Sequence, residues 1–411
     1  VKQVRCLQTW HYLHVNSMSP SDILTPGPLA ALAVLLFLPV YGHRDRHEGT
    51  TRQWSLSQTV SFSSPEFLKL LPEMDEKMVP IEHVKVPDEV CLEMVEALAN
   101  AHWKMKRPGI IHTGIILPEG AKEIDHSWVD SVRKLRLLPL SFLATQSLEN
   151  VKLYFWANVE GTHPLIQEIF GPLMAQYGKY IEIKKFDASA EIKKVCSHYE
   201  SEKSTGELTA ELVKIYESQS IVASKSDLMR AILLYNYGGA WMDSDVLLVQ
   251  NLAPILEEDW AVLMYQNFVN PATLSVSRPG SPFITAWMGN ILALGVNKSW
   301  AAYGPFMITD MTAEIQRSVA NATFHVLPPC FFEGALSRGA HQPHQMAPLW
   351  DNFFSLDRSL RSAEVAYVDP STKHSTFGYH WHNRWNKKIV DGSVAATAEK
   401  MYCKRLNISL S

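Results

Sequence analysis

No two of the five cysteines, Cys6, Cys91, Cys196, Cys330 and Cys403, stand at C-x-x-C spacing. The chain therefore lacks the ligand pairs of a structural zinc site and the dense framework of a small disulfide-built domain. Positive charge is not in excess: 38 Lys and Arg against 42 Asp and Glu leave a formal charge of −4, which argues against nucleic acid as a partner. There is no internal repeat, no low-complexity tract, and no apolar run of the roughly 20 residues that a spanning helix needs. What the 411 residues do contain is 46% hydrophobic and 10% aromatic content, enough to bury a sizeable globular core.

The one membrane candidate is PLAALAVLLFLPVYG, Pro28 to Gly42, uncharged and flanked by Lys2 and Arg5 before it and Arg44 and Arg46 after it. Its length suits a signal h-region or a short signal-anchor, and no A-x-A cleavage site follows, which favours an uncleaved anchor. Three Asn-x-Ser/Thr sequons, at Asn297, Asn321 and Asn407, agree with a domain in the lumen of the secretory pathway. The expected organisation is an N-terminal tail over 1–43, a stem and helical lead-in over 44–105, the main domain over 106–390 and a C-terminal tail over 391–411. Within the lead-in, Val90, Met94, Leu98 and Trp103 recur at near-helical spacing.

Short apolar runs in RPGIIHTGIILPEG, VKLYFWAN (151–158) and YIEIKKFD (180–187) read as buried strands. Helical stretches such as THPLIQEIFGPLMAQYG and STGELTAELVKIYES lie between and after them. Such alternation implies βαβ units, a mostly parallel sheet and helices on both faces. Ligands then bind outside the carboxyl ends of the strands.

The stretch from Ser224 to Val249 reads as a helix, a break and a strand. Ser224 or Ser226 is placed to cap the helix, Asp227 falls in its first turn, and Leu228, Ile232 and Tyr235 form an apolar stripe. Gly238-Gly239 stops it. The following AWMDSDVLLV is apolar except for Asp243, Ser244 and Asp245; in a strand, Asp243 and Asp245 point to one side. Two carboxylates in a buried segment are costly unless something positive lies between or beside them. A hard divalent ion, Mn²⁺ or Mg²⁺, meets that need and completes its shell with substrate phosphates. Spacing alone leaves open a strand end where both Asp face solvent or pair with Lys or Arg.

Read together, Ser226, Asp227, Leu228, Arg230, Tyr237, Gly238, Gly239, Trp241, Asp243 and Asp245 resemble the glycosyltransferases whose sugar-binding region contains a DXD motif, a group that includes initiating α-1,6-mannosyltransferases, α-1,4-galactosyltransferases and glucosylating clostridial toxins. The resemblance implies a GT-A fold, a single Rossmann-like α/β domain. It implies that Asp245 binds the metal directly, Asp243 contacts the donor ribose and the metal shell, and Asp227 and Arg230 contact the donor sugar. Gly238 and Gly239 have either a donor-binding role or a structural one, as the tight turn into the DXD strand. Gly304-Pro305 is similar to the family's Gly-Pro near the acceptor side, and FGYHWHNRW (377–385) to a segment whose His completes the metal shell. The alignment favours His380 as that ligand, with His382 as rival; Trp381 and Trp385 read as core aromatics. One departure stands out: where many relatives end the first strand with a Trp that stacks on the base, this chain has Ile115.

The activity implied is transfer of a hexose from a UDP- or GDP-sugar to a glycan, glycolipid or glycoprotein acceptor, with retention, in a type II Golgi membrane protein. Rival readings are a catalytically silent lectin-like or scaffold relative and a metal-dependent phosphohydrolase or nucleotidyltransferase. His341 and His344 read as a surface pair, Cys196 as a non-catalytic thiol, and Glu257, Glu258 and Asp259 as a solvated turn.

Overall fold

In this computed structural model the described residues are 95–99, 104–117, 129–198, 205–263, 268–300, 302–318, 324–333, 352–355 and 376–409. The apolar segment 28–42, most of the lead-in, and His341 and His344 lie outside them. Within the lead-in, 95–99 is helical, and Val95 and Leu98 are buried in the core.

Three of the runs read as strands form β1 (Gly109–Ile115), β2 (Val151–Ala157) and β3 (Ile181–Lys185). They pair in parallel, β3 to β2 to β1. The sheet continues through β4 (Gly239–Met242), which lies parallel to β1, and then through β7 (Val269–Val276), β6 (Asp259–Leu263) and β8 (Phe324–Leu327). Its order is β3-β2-β1-β4-β7-β6-β8, with β7 antiparallel to both neighbours and β6 parallel to β8. A separate ribbon pairs β5 (Val246–Leu248) antiparallel with β9 (Gly378–His380). This is the expected GT-A type of fold, a mostly parallel Rossmann-like sheet.

Alternation along the strands sends side chains to two cores. Ile111, Leu153 and Phe155 enter a cluster with α1 (Val129–Thr145), α2 (Pro164–Tyr177) and α8 (Val394–Leu406). Trp156 and Trp241 enter the opposite cluster with α3 (Ala188–His198), α4 (Thr205–Glu217), α5 (Val222–Tyr237), α6 (Pro282–Leu294) and α7 (Pro305–Ser318). Phe155 against Phe170 of α2, ring centroids 4.6 Å apart, is typical of these contacts; burying a side chain of that size contributes about 1.5–3 kcal/mol. Helix α8 falls in the segment bounded as a C-terminal tail, yet it is a packed element: Val394, Ala395, Ala398 and Tyr402 are buried, and the Tyr402 hydroxyl donates to the Leu248 carbonyl at 2.9 Å.

The passage from α5 to β4 takes no loop because two glycines make it. Gly238 (φ 64°) and Gly239 (φ 86°) both lie in the left-handed region, and a Cβ on Gly239 would sit 2.5 Å from the Ile110 carbonyl oxygen. The Gly238 carbonyl is tied down by His112 of β1, whose Nε2 lies 2.8 Å away, while His112 Nδ1 accepts from Trp156 Nε1 at 3.1 Å. Those partners select the neutral tautomer with its proton on Nε2. Burial pushes the His112 pKa down from 6.5 to about 4, against the opposing pull of the Gly238 carbonyl and with a small further push from Lys184.

A depressed imidazole makes folding acid-sensitive. The unfolded chain takes up this proton near pH 6.5 and the folded chain only near pH 4, so the associated stability is complete above pH 6.5 and is lost as the pH falls to 4. A gap of that size is worth up to about 3 kcal/mol. Urea unfolding at pH 7 and pH 4.5 checks this: His112→Gln, which cannot protonate, should show a smaller acid-induced loss than the wild type.

Candidate active site

The Asp pair does not lie in one strand, as the apolar run around it led us to expect. β4 ends at Met242; Asp243 N–H still donates to the Ala272 carbonyl of β7 at 2.7 Å, and then a turn closes with Val246 N–H on the Asp243 carbonyl at 3.0 Å. Asp and Ser favour such turns because their side chains compete for local backbone partners. β5 then leaves the main sheet for β9. Asp243 and Asp245 thus stand at the carboxyl end of β4, where an α/β sheet places its ligands. Gly238 and Gly239 lie at the other end of the same strand, at the entry from α5, so the structure does not bring them to the carboxylates.

Asp243 belongs to a chain of charges on α5. Arg230 reaches Asp227 Oδ1 with Nη1 at 3.1 Å and Asp243 Oδ1 with Nη2 at 2.7 Å. The guanidinium lies 5.4 Å from the Trp241 ring centroid, and Trp241 Nε1 donates to the same Asp243 oxygen at 2.6 Å. The helix starts earlier than its serines suggested. Ile221 is the cap residue and offers no side-chain bond, so Ser224 lies inside the helix and donates instead to the Trp300 carbonyl at 3.2 Å. Asp227 is consequently buried rather than at the helix mouth, and α5 is buried on nearly all faces from Asp227 to Tyr235 rather than along one stripe. Gly304 makes the space: a Cβ there would fall 2.2 Å from Asp227 Oδ2. Burial raises the Asp227 pKa to about 7, opposed by Arg230 and assisted by Asp243. Asp243 is also raised by burial, again opposed by Arg230 and assisted by Asp245, although 28% of its side chain remains open.

Asp245 belongs to a second chain. It is 2% exposed; its Oδ2 accepts the Asn383 N–H at 2.7 Å and lies 3.3 Å from His380 Nε2. The other ring nitrogen of His380 is 2.8 Å from Glu333 Oε1, and Glu333 Oε2 is 2.5 Å from His382 Nε2. The two imidazoles stack at 3.8 Å, so His380 and His382 are joint members of the cluster rather than alternatives. Asn270 of β7 donates to Glu333 Oε1 at 3.0 Å. Burial alone would lower the His380 pKa, but Asp245 and Glu333 outweigh it and hold the ring charged. Burial would raise Asp245 and Glu333, but the imidazoles hold both low, Glu333 at about 2. His382 is lowered by burial and by its charged neighbour, against Glu333.

One ligand atom from each of Glu333, His380 and His382 falls within 4.8 Å of the others. With Asp245 beside them, the donor set is carboxylate and imidazole, which fits a transition ion such as Mn²⁺ better than Mg²⁺. Glu333 and Asn270 escaped the sequence reading. Glu333 follows PPCFF with no motif around it, and no local signal marks either.

Among residues set aside earlier, Cys196 is buried and its thiol pKa is raised by burial, as a non-catalytic thiol requires. Asp259 is not part of a solvated turn. It is 3% exposed, opens β6, and accepts from Ser277 N–H at 2.5 Å and Ser281 Oγ at 2.7 Å. Its acceptors are needed there because the chain reverses at 277–281. Trp381 is fully buried and meets Trp385 edge to face at 4.6 Å.

A carboxyl raised to about 7 is a stability cost that grows with pH: the unfolded chain loses its proton near pH 3.8 and the folded chain only near 7. Asp227→Asn should therefore gain Tm relative to wild type as pH rises from 4 to 7, with the gain level above that. Differential scanning calorimetry at pH 5 and pH 8 measures it; a larger gain at pH 5 would contradict the assignment.

The comparisons with known proteins bear on this geometry. Residues 168–261, which span α5 and the Asp243–Asp245 turn, match the glycosyltransferase sugar-binding region containing the DXD motif. No curated protein matches the chain. Among solved structures, it is similar to the PaToxG glycosyltransferase at 17% identity, covering 56% of this chain and 76% of that one, TM-score 0.33. It is also similar to the galactosyltransferase LgtC in complex with donor and acceptor sugar analogs, at 10% identity, covering 74% and 97%, TM-score 0.34. A third is a bacterial N-acetylglucosamine transferase, NleB, at 10% identity, covering 53% and 91%, TM-score 0.29. Likenesses of this size carry no weight for the chemistry, and the fold rests on the strand order itself. Over residues 168–261, and not beyond them, the chain matches the glycosyltransferase sugar-binding region that contains a DXD motif.

Proposed function

We propose that the protein transfers a hexose from a nucleotide-sugar donor, UDP- or GDP-linked, to a glycan, glycolipid or glycoprotein acceptor, with a divalent cation, Mn²⁺ in preference to Mg²⁺. The observation that carries this reading is the buried Asp245, whose Oδ2 faces His380 Nε2 at 3.3 Å with Glu333 and His382 behind. Asp245 and His380 would hold the cation, with Glu333 and His382 as the donors next to them, and Asp243, still partly open, would contact the donor ribose. A cation bound there stabilises, as a Lewis acid, the negative charge that a departing diphosphate gains.

The remaining roles fall to the chain's own groups. Arg230, already ordered by Asp227 and Asp243, presents a fixed positive charge at the donor site and loses no side-chain freedom on binding. Asp227, backed by Gly304, would accept from the donor sugar's hydroxyls. The transfer then follows a front-face route with retention of configuration, in which the acceptor hydroxyl attacks on the leaving-group side. NMR of the product anomer decides that point.

Lumenal placement is supported by Cys330, which is disulfide-bonded while Cys196 and Cys403 are free, since disulfides persist in oxidising compartments. Two sequon asparagines are accessible. Asn407 is exposed, and Asn297 is half-buried with its Oδ1 accepting from Ser299 N–H at 2.8 Å. A type II Golgi anchor through 28–42 completes this reading; among the described residues no helix is long and apolar enough to cross a membrane.

Asp245→Asn keeps the side chain's shape and removes its charge. It should lower kcat for donor hydrolysis by about 10²-fold or more with an unchanged circular dichroism spectrum. Hydrolysis of UDP- and GDP-hexoses should require added Mn²⁺ and stop with EDTA; turnover undiminished by EDTA would exclude the metal role. A catalytically silent lectin-like or scaffold protein would bind donor without hydrolysing it under any metal.

A further inference from the structure

Lys134 of α1 is fully buried, where an ammonium is tolerated only if its hydrogens find acceptors. An ammonium carries three N–H donors and no acceptor. Lys134 Nζ has three carbonyls to meet them, all from one loop: Arg384 at 2.7 Å, Trp385 at 3.0 Å and Lys387. Two aromatic faces close on the same charge, with the Phe354 and Trp381 ring centroids at 4.5 and 5.9 Å, an arrangement that favours a cation.

The loop so gripped has no helix or strand of its own. It begins where β9 ends and carries His382 and Asn383, two consecutive non-glycine residues with positive φ, 52° and 55°. Such conformations persist when their surroundings over-determine them. On one side they are held by the site itself, through His382 on Glu333 and the Asn383 N–H on Asp245. On the other side the chain is held by Lys134.

We propose that Lys134 is a positioning residue for the cation site: its ammonium serves as an internal cation that fixes the 384–387 carbonyls and thereby keeps His382 and Asn383 in the conformation that completes the Asp245 and Glu333 cluster. The proposal rests on the metal reading given above. It gives the buried charge a reason to exist, since an apolar side chain of equal length would fill the same space without desolvation cost but would leave three carbonyls unmet.

The test is Lys134→Met, isosteric and uncharged, followed by Mn²⁺ titration calorimetry, circular dichroism and donor hydrolysis. A folded variant whose Mn²⁺ affinity falls by about 10-fold or more, the range seen when a metal ligand loses its supporting partner, supports the role. A merely structural lysine would lower Tm and leave Mn²⁺ affinity unchanged, and that result overturns the proposal while the metal reading stands. A wild type that itself takes up no Mn²⁺ overturns both. If the methionine variant does not fold, Lys134→Arg keeps the charge but spreads its N–H groups in a plane. It should fold with weakened Mn²⁺ binding, and wild-type affinity in it overturns the clamp.

Discussion

The carboxyl end of strand β4 depends on one constraint: several ionisable side chains are held in a nearly dry interior, where they are placed in contact with one another rather than with water. The structure meets this with two linear arrays, Asp227–Arg230–Asp243 and Asp245–His380–Glu333–His382. Removing one member of such an array strands its neighbour in low dielectric, which costs more than the pair contributes when intact. This explains why the surroundings are so specific. Gly304 leaves room for one carboxylate, Trp241 and Asn383 donate to two others, and a lysine secures the loop behind.

The turn between β4 and β5 sets how the two arrays relate. Had the Asp-Ser-Asp segment continued as a strand, both carboxylates would have shared one face and one partner. Because β4 ends on β7 while β5 pairs with β9, Asp243 faces the helix α5 and Asp245 faces the C-terminal loop. The first array contains a fixed cation, Arg230. The second has a titratable one, His380, held charged by Asp245 and Glu333.

Much of the fold was legible because it rests on local rules. Short apolar runs marked β1 to β3, the first of them bounded by Pro and Gly, and Gly238-Gly239 marked the passage from α5 to β4 because only glycine tolerates those φ values beside the Ile110 carbonyl. Where the reading slipped, a distant partner had overridden local preference. Ser224 did not cap α5 because the Trp300 carbonyl was available to it, Asp259 was not solvated because two serines from the next turn needed its oxygens, and the final segment packed as α8 because α1 offered it an apolar face.

The sequence alone determined β1 to β3, the DXD-type pattern from Ser226 to Asp245 and the candidacy of His380, because each is written within a few residues of itself. Tertiary structure alone decided that His380 stands beside Asp245, 135 residues away, that Glu333 joins both histidines, and that Lys134 reaches a carbonyl 250 residues on. Charge pairing depends on distance in space and on exclusion of water, and neither is encoded in the spacing of residues along the chain.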